Sequence, residues 1–148
     1  MQKEALTNLL KYTGKDPSRL IFEDELTDIY NRRFLSQFFE SKVSWNDLDS
    51  TPLSLIMVDV DNFKQVNDSY GHQVGDQALV WVANLLCKVG DDQGMAIRYA
   101  GDEFMLLLPH CSKKCGIQVA NRLHKQIHQE PFQHRGNKDS PLDRKSVV

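Results

Sequence analysis

The run LSLIMVDV at 53–60 constrains this chain more than any other segment. It is too short for a core-spanning helix, apolar at nearly every position, and ended by acids. A strand buried on both faces has this pattern. Such a strand needs helices on each side, and with 148 residues one domain must supply them all. At this length a second domain is not expected.

The flanking patterns supply those helices. Leu26, Ile29, Tyr30, Phe34, Leu35, Phe38 and Phe39 recur at three- and four-residue steps and predict a helix over 24–42. Leu79, Val82, Ala83, Leu86 and Val89 predict another over 76–89. Ser112 is an expected N-cap for a helix to about 128, with Ile117, Ala120, Leu123 and Ile127 inward. Residues 1–14 form a short amphipathic piece with Leu6, Leu9, Leu10 and Tyr12, broken at 14–17. Segments 46–52 and 67–75 read as loops, the latter with Gly71 and Gly75. Two apolar runs, 95–99 and 104–108, flank Ala100-Gly101-Asp102-Glu103. They predict a hairpin in which Gly101 supplies the unusual backbone angle. From residue 53 the order is strand, helix, strand, strand, helix. A split βαβ unit closes with one more strand. Residues 133–148 offer only Leu142, Val147 and Val148 as aliphatic residues, without alternation.

Charge narrows the function. With 18 Lys and Arg against 20 Asp and Glu, the net charge is -2. That gives no general reason to bind nucleic acid or an anionic membrane, so a phosphate ligand needs a local site. No apolar run is long enough to span a bilayer, and MQKEALTN is not a signal peptide. Three cysteines, an odd number, point to a reducing cytoplasm.

The chemistry gathers around Asp59, Asp61, Asp102 and Glu103. In a split βαβ sheet the first and third strands are neighbours, so these tips converge. Carboxylates brought together repel unless a cation sits among them, and hard oxygen ligands suit Mg²⁺ with a substrate phosphate. Taken alone, acids at loop tips are more often solvated turn residues. Lys64 follows Asp59 by five residues at a turn whose amides can cradle phosphate. Asn67, Asp68, Gly71, His72, Gly75 and Asp76 come next. Asn and Asp suit a purine edge, because a carboxylate accepts from guanine N1–H and N2–H. Other motifs are set aside. An EF-hand at 59–70 fails because Phe63 and Lys64 stand where an oxygen ligand and Gly are needed. Cys111, Cys115, His124 and His128 lack zinc-finger spacing. Asn67-Asp68-Ser69 fits a glycosylation sequon without a secretion signal. Trp81 reads as core.

VDVDNFKQV, NDSYGHQVGD and RYAGDEF, with DELTDIYNRR upstream, occur in an order and spacing that resemble the GGDEF domain of bacterial diguanylate cyclases. The resemblance covers about 22–132, with 1–21 as an N-terminal helical segment or linker and 133–148 as a non-matching tail. It implies an α+β, palm-like or ferredoxin-like fold around a mainly antiparallel sheet. It implies a cytoplasmic enzyme that joins two GTP into cyclic di-GMP with release of pyrophosphate, using Mg²⁺ or Mn²⁺, in a homodimer whose two sites face each other. Carried over by motif, Asp59 and Asp102 are metal-binding carboxylates and the Val60 carbonyl is a further ligand. Glu103 binds metal or activates the 3′-hydroxyl. Phe63 and Lys64 fall on the phosphate-binding turn, Asn67 and Asp76 on the guanine-reading positions, and Gly101 on the substrate side of the signature. Asn31, Arg32 and Arg33 match a structural motif.

Three departures stand out. Ala100 replaces the first glycine of the signature. Asp91-Asp92-Gln93-Gly94 occupies the place of the RxxD product-inhibition site, which is therefore missing. The closing strand and final helix, with its phosphate-binding Lys and Arg, find no counterpart in 133–148. The expectation is an incomplete domain that leaves 53–60 as an apolar edge. Three readings follow: an active cyclase, a GTP-binding regulatory module without turnover, or a truncated non-functional remnant.

Overall fold

A computed structural model describes residues 16–41 and 51–133, together with Lys11 and Gly14. The elements run α1 (Pro17–Phe22), β1 (Tyr30–Asn31), α2 (Arg32–Glu40), β2 (Leu53–Asp59), α3 (Phe63–Tyr70), α4 (His72–Gly90), a 3₁₀ turn (Asp91–Gln93), β3 (Met95–Arg98), β4 (Glu103–Pro109) and α5 (Lys113–Gln129). The fold is α+β. Its sheet has the order β1-β3-β4-β2, with β1 parallel to β3 and the other pairs antiparallel.

Alternation along β4 explains the layers. Phe104, Leu106 and Leu108 point to one face, where Val58, Leu79, Val82, Ala83, Leu86 and Val89 meet them beneath α4 and α5. Met105 and Leu107 point to the other, against Leu35 and Ile97, with Phe34 and Phe38 of α2 packed alongside. Burying side chains of this size stabilises by about 1.5–3 kcal/mol each. β4 is the strand buried on both faces. β2 lies at the edge of the sheet, and its Leu55 and Met57 are 47% and 56% exposed. The expectation of two-sided burial for 53–60 therefore fails, while the expectation of an apolar edge holds: among the described residues only β4 pairs with β2.

The helix expected over 24–42 begins only at Arg32. Asp24 accepts from the Thr27 N–H (3.0 Å) and hydroxyl (2.7 Å), and the backbone of Asp28 has φ +58°. This side-chain competition with the helix backbone forms a turn instead. Tyr30 and Asn31 then pair with Ile97 and Arg98. Asn31 caps α2 by accepting from Phe34 N–H at 3.1 Å. A further helix, α1, starts behind the Asp16 cap with Pro at its first turn, a place where proline costs nothing.

The loop expected at 67–75 is mostly helical. α3 reaches Tyr70, and α4 starts at His72 after Gly71, whose φ of +87° makes the corner. Ile117, expected inward, is 52% exposed because it flanks the β2 edge rather than the core. Gly101 does not adopt a left-handed angle, and a Cβ there would meet open space. Cys111 and Cys115 are joined as a disulfide, their Cα atoms 5.4 Å apart, leaving Cys87 free. A reducing compartment did not predict that bond, and it removes both sulfurs from any zinc set. His124 and His128 are exposed, and Trp81 packs on Phe132. The helical piece at 1–14, apart from Lys11 and Gly14, most of the 46–52 loop, and the tail beyond 133 lie outside the described residues.

Candidate functional site

Antiparallel pairing puts the acids together. Register runs from Leu53 opposite Pro109 to Asp59 opposite Glu103. Val60 N–H then donates to the Asp102 carbonyl at 3.0 Å, extending the pairing by one residue. Asp59, Asp102 and Glu103 thus share one end of the sheet, as the split βαβ reasoning expected. Asp59 is exposed, and Asp102 and Glu103 are half-buried.

The hairpin that carries Asp102 is clamped from outside. Arg98 donates through Nε and Nη2 to the Gly101 carbonyl at 3.2 and 2.9 Å. Its Nη1 donates to the Asp24 carboxylate at 3.2 and 3.0 Å. Burial alone would push the Asp24 pKa up, but hydrogen bonds from Thr27 and Arg98 outweigh it and hold the carboxyl below its ordinary value. Arg32 lies over the Tyr99 ring at 4.7 Å, and Asn31 Nδ2 donates to the carbonyls of Ile21 and Glu23. Asn31 and Arg32 are structural, as expected. Asp24, Thr27 and Arg98 were missed. Their signal was an Asp three residues before a Thr, a turn-forming spacing hidden inside a helical stripe.

Beyond Asp59 the chain turns through Asp61 and Asn62, whose φ is +56°, and enters α3 at Phe63. No side chain caps this helix start. The first amides of a helix lack intrahelical partners and face outward as an anion cradle. Lys64 is exposed at that first turn. Phe63 and Lys64 are therefore the opening of a helix rather than part of a loop.

Asn67 sits one turn on and faces α4. A Cβ on Gly75 would collide with Asn67 Oδ1 and lie 3.2 Å from the Phe63 ring, so only glycine fits between them. Asn67 Oδ1 is buried without a hydrogen-bond partner. Asp76, next in sequence to Gly75, is exposed. Phe63, Asn67 and Gly75 thus meet, and an orphaned polar atom marks the place. Asp59 stands four residues before the start of α3 and pairs with Glu103 across the sheet. Among the described residues no three His, Cys, Asp or Glu stand close enough to enclose a metal. Among the described residues no helix is long and apolar enough to cross a membrane.

Comparison with known proteins gives this arrangement a family. The family model "Diguanylate cyclase, GGDEF domain" matches residues 21–144. The chain is 32% identical over 119 residues to the diguanylate cyclase DosC of Escherichia coli (strain K12), covering 80% of this chain and 26% of that protein. It is 35% identical over 122 residues to the diguanylate cyclase DgcP of Pseudomonas aeruginosa, covering 82% and 18%. The chain thus spans about a quarter or less of the length of these two relatives. The coiled coil and GGDEF domain of DgcB from Caulobacter crescentus, solved with c-di-GMP, shares the fold with a TM-score of 0.77 at 22% identity, covering 99% of this chain and 75% of that one. With a family model that matches 21–144, the chain belongs to the GGDEF diguanylate cyclase family.

Proposed function

We propose that the chain condenses two GTP into cyclic di-GMP with release of two pyrophosphates. The observation that carries this reading is the pairing of Asp59 with Glu103 beside Asp102, next to the uncapped start of α3. Asp76 accepts from guanine N1–H and N2–H, and Asn67 answers the base with the oxygen that lacks a partner. The first amides of α3 and Lys64 hold the phosphates. Glu103 takes the 3′-hydroxyl proton or joins the metal set. The 3′-oxygen of one GTP attacks the α-phosphorus of the other, and the bond to pyrophosphate breaks. The same exchange in the opposite sense closes the ring.

A divalent ion fits the residues present. Asp59, Asp102, Glu103 and the Val60 carbonyl are hard oxygen donors, and Mg²⁺ takes one or two carboxylates, water and substrate phosphate rather than a closed protein cage. When bound, Mg²⁺ or Mn²⁺ supplies Lewis-acid stabilisation of charge at the 3′-oxygen and the phosphates. One domain holds one GTP, so turnover needs two chains with sites opposed.

A second reading, a module that binds GTP without turnover, is favoured by one observation: among the described residues the Asp59-bearing strand β2 lies at the edge of the sheet, paired with β4 alone. Incubation of purified protein with GTP and Mg²⁺, followed by mass spectrometry, separates the two. The first reading requires cyclic di-GMP; GTP binding without product at high protein concentration supports the second.

A further inference from the structure

Cys111 and Cys115 are joined across the start of α5, at the end of the β2–β4 pair opposite the acids. Cys111 is 3% exposed and belongs to the core, while Cys115 is half-buried in the first turn of the helix. The backbone around the bond is tied to the sheet. Cys111 N–H donates to the Pro52 carbonyl at 2.9 Å, and the Ser54 hydroxyl donates to the Cys111 carbonyl at 2.8 Å. Ser112 caps α5, its hydroxyl accepting from Cys115 N–H at 3.3 Å and its carbonyl from Gly116 N–H at 2.8 Å. The disulfide therefore links the first turn of α5 to the ends of β2 and β4.

We propose that Cys111 and Cys115 are a reversible thiol–disulfide pair, that Cys115 is the sulfur that exchanges with external thiols and disulfides, and that the bond sets how firmly α5 is held to the sheet. The two sulfurs differ in what surrounds them. Amides without intrahelical partners gather at the first turn of α5, and Lys113 and Lys114 are exposed in the same turn. Both features favour a thiolate on Cys115. Cys111 belongs to the apolar core with Val119 and Leu123, where a charge is costly. Cys87, the remaining cysteine, is free, and desolvation pushes its thiol pKa up, which makes it a poor competitor for exchange.

An external dithiol opens the bond in two steps. Its thiolate attacks Cys115 Sγ, the S–S bond breaks, and Cys111 leaves as a thiolate that takes up a proton. The second thiolate of the reagent then attacks the reagent sulfur of the mixed disulfide and releases Cys115. Two electrons and two protons pass to the protein, and the dithiol becomes a disulfide. Closure runs in reverse: the Cys115 thiolate attacks a small disulfide, and the Cys111 thiolate then displaces the thiol left on Cys115. With a sequence separation of 4 the closed loop is short, so the bond stabilises modestly. The Ser112 cap and the hydrogen bonds to Pro52 and Ser54 do not involve the sulfurs. Reduction therefore loosens the start of α5 without unfolding the domain. Nothing in this exchange depends on nucleotide chemistry.

A redox titration of the whole chain in a Cys87→Ser background tests the proposal. The folded protein is equilibrated with mixtures of reduced and oxidised dithiothreitol, then denatured, alkylated and read by mass spectrometry. No alkylated thiol is expected at the oxidising end and two at the reducing end, with the same curve in both directions. The reduced form should melt about 5 °C lower, and the amides of Cys115 and Gly116 should exchange hydrogen faster in it. A brief pulse of iodoacetamide on the reduced, folded protein should label Cys115 at least tenfold faster than Cys111. Two thiols in every mixture, or none in any, overturn the proposal. So does labelling of Cys111 as fast as Cys115, or a Tm and an amide exchange that ignore the redox state. The unmutated chain decides the question if Cys87→Ser fails to fold, its thiol count then running from one to three.

Discussion

Asp24 shows how a single residue can govern the site without touching it. Its carboxylate takes hydrogen bonds from Thr27 and from Arg98, and Arg98 holds the Gly101 carbonyl next to Asp102. The depressed pKa fixes the sign of the acid response. A carboxyl that titrates lower when folded adds stability above its unfolded value, near 3.8, and that stability is lost as pH falls through the folded value. Thermal melts between pH 5 and pH 2 should therefore show a steeper fall for the wild type than for Asp24→Asn, which starts from a lower Tm; parallel curves contradict the assignment. The acids were legible in the sequence because three motifs locate them. The clamp was not, because Asp24 and Thr27 lie within a stripe whose apolar spacing mimics a helix. Gly101 misled for another reason: glycine in a tight turn suggests a left-handed angle, and this turn needs none.

At the scale of elements, the join between α3 and α4 decides whether the proposed base site can form. Phe63, Asn67 and Gly75 fill one small space, and glycine is the only residue that leaves room for the Asn67 amide. Gly75→Ala should lower stability by about 1–3 kcal/mol, the usual cost of overpacking, and should weaken GTP binding more than Asp76→Glu does. Denaturant melts and a nucleotide titration check both; unchanged affinity in Gly75→Ala would separate Asn67 from the base. Sequence reading named Phe63, Asn67 and Asp76 but placed 67–75 in a loop, because two glycines and a run of polar residues mimic turn chemistry. The β4 strand and the β2–β4 pairing were legible, since the hairpin and the split βαβ order leave few alternatives. The exposed face of β2 was legible only through the lack of a strand-like pattern after residue 132. The apolar run by itself pointed to burial.

For the whole molecule, the proposed reaction makes the site half of what the chemistry needs. Each chain presents one set of acids at one end of one sheet, so on that proposal product formation requires two chains. Specific activity should rise with protein concentration and level off once the productive pair is formed; a rate per chain that is constant down to high dilution contradicts the two-chain account. The most direct test of the central claim compares the wild type with Asp102→Asn, both shown to bind GTP, in the same Mg²⁺ reaction read by mass spectrometry. The account predicts cyclic di-GMP from the wild type and at least a hundredfold less from Asp102→Asn. Equal product from both, or none from a wild type that binds GTP, contradicts it.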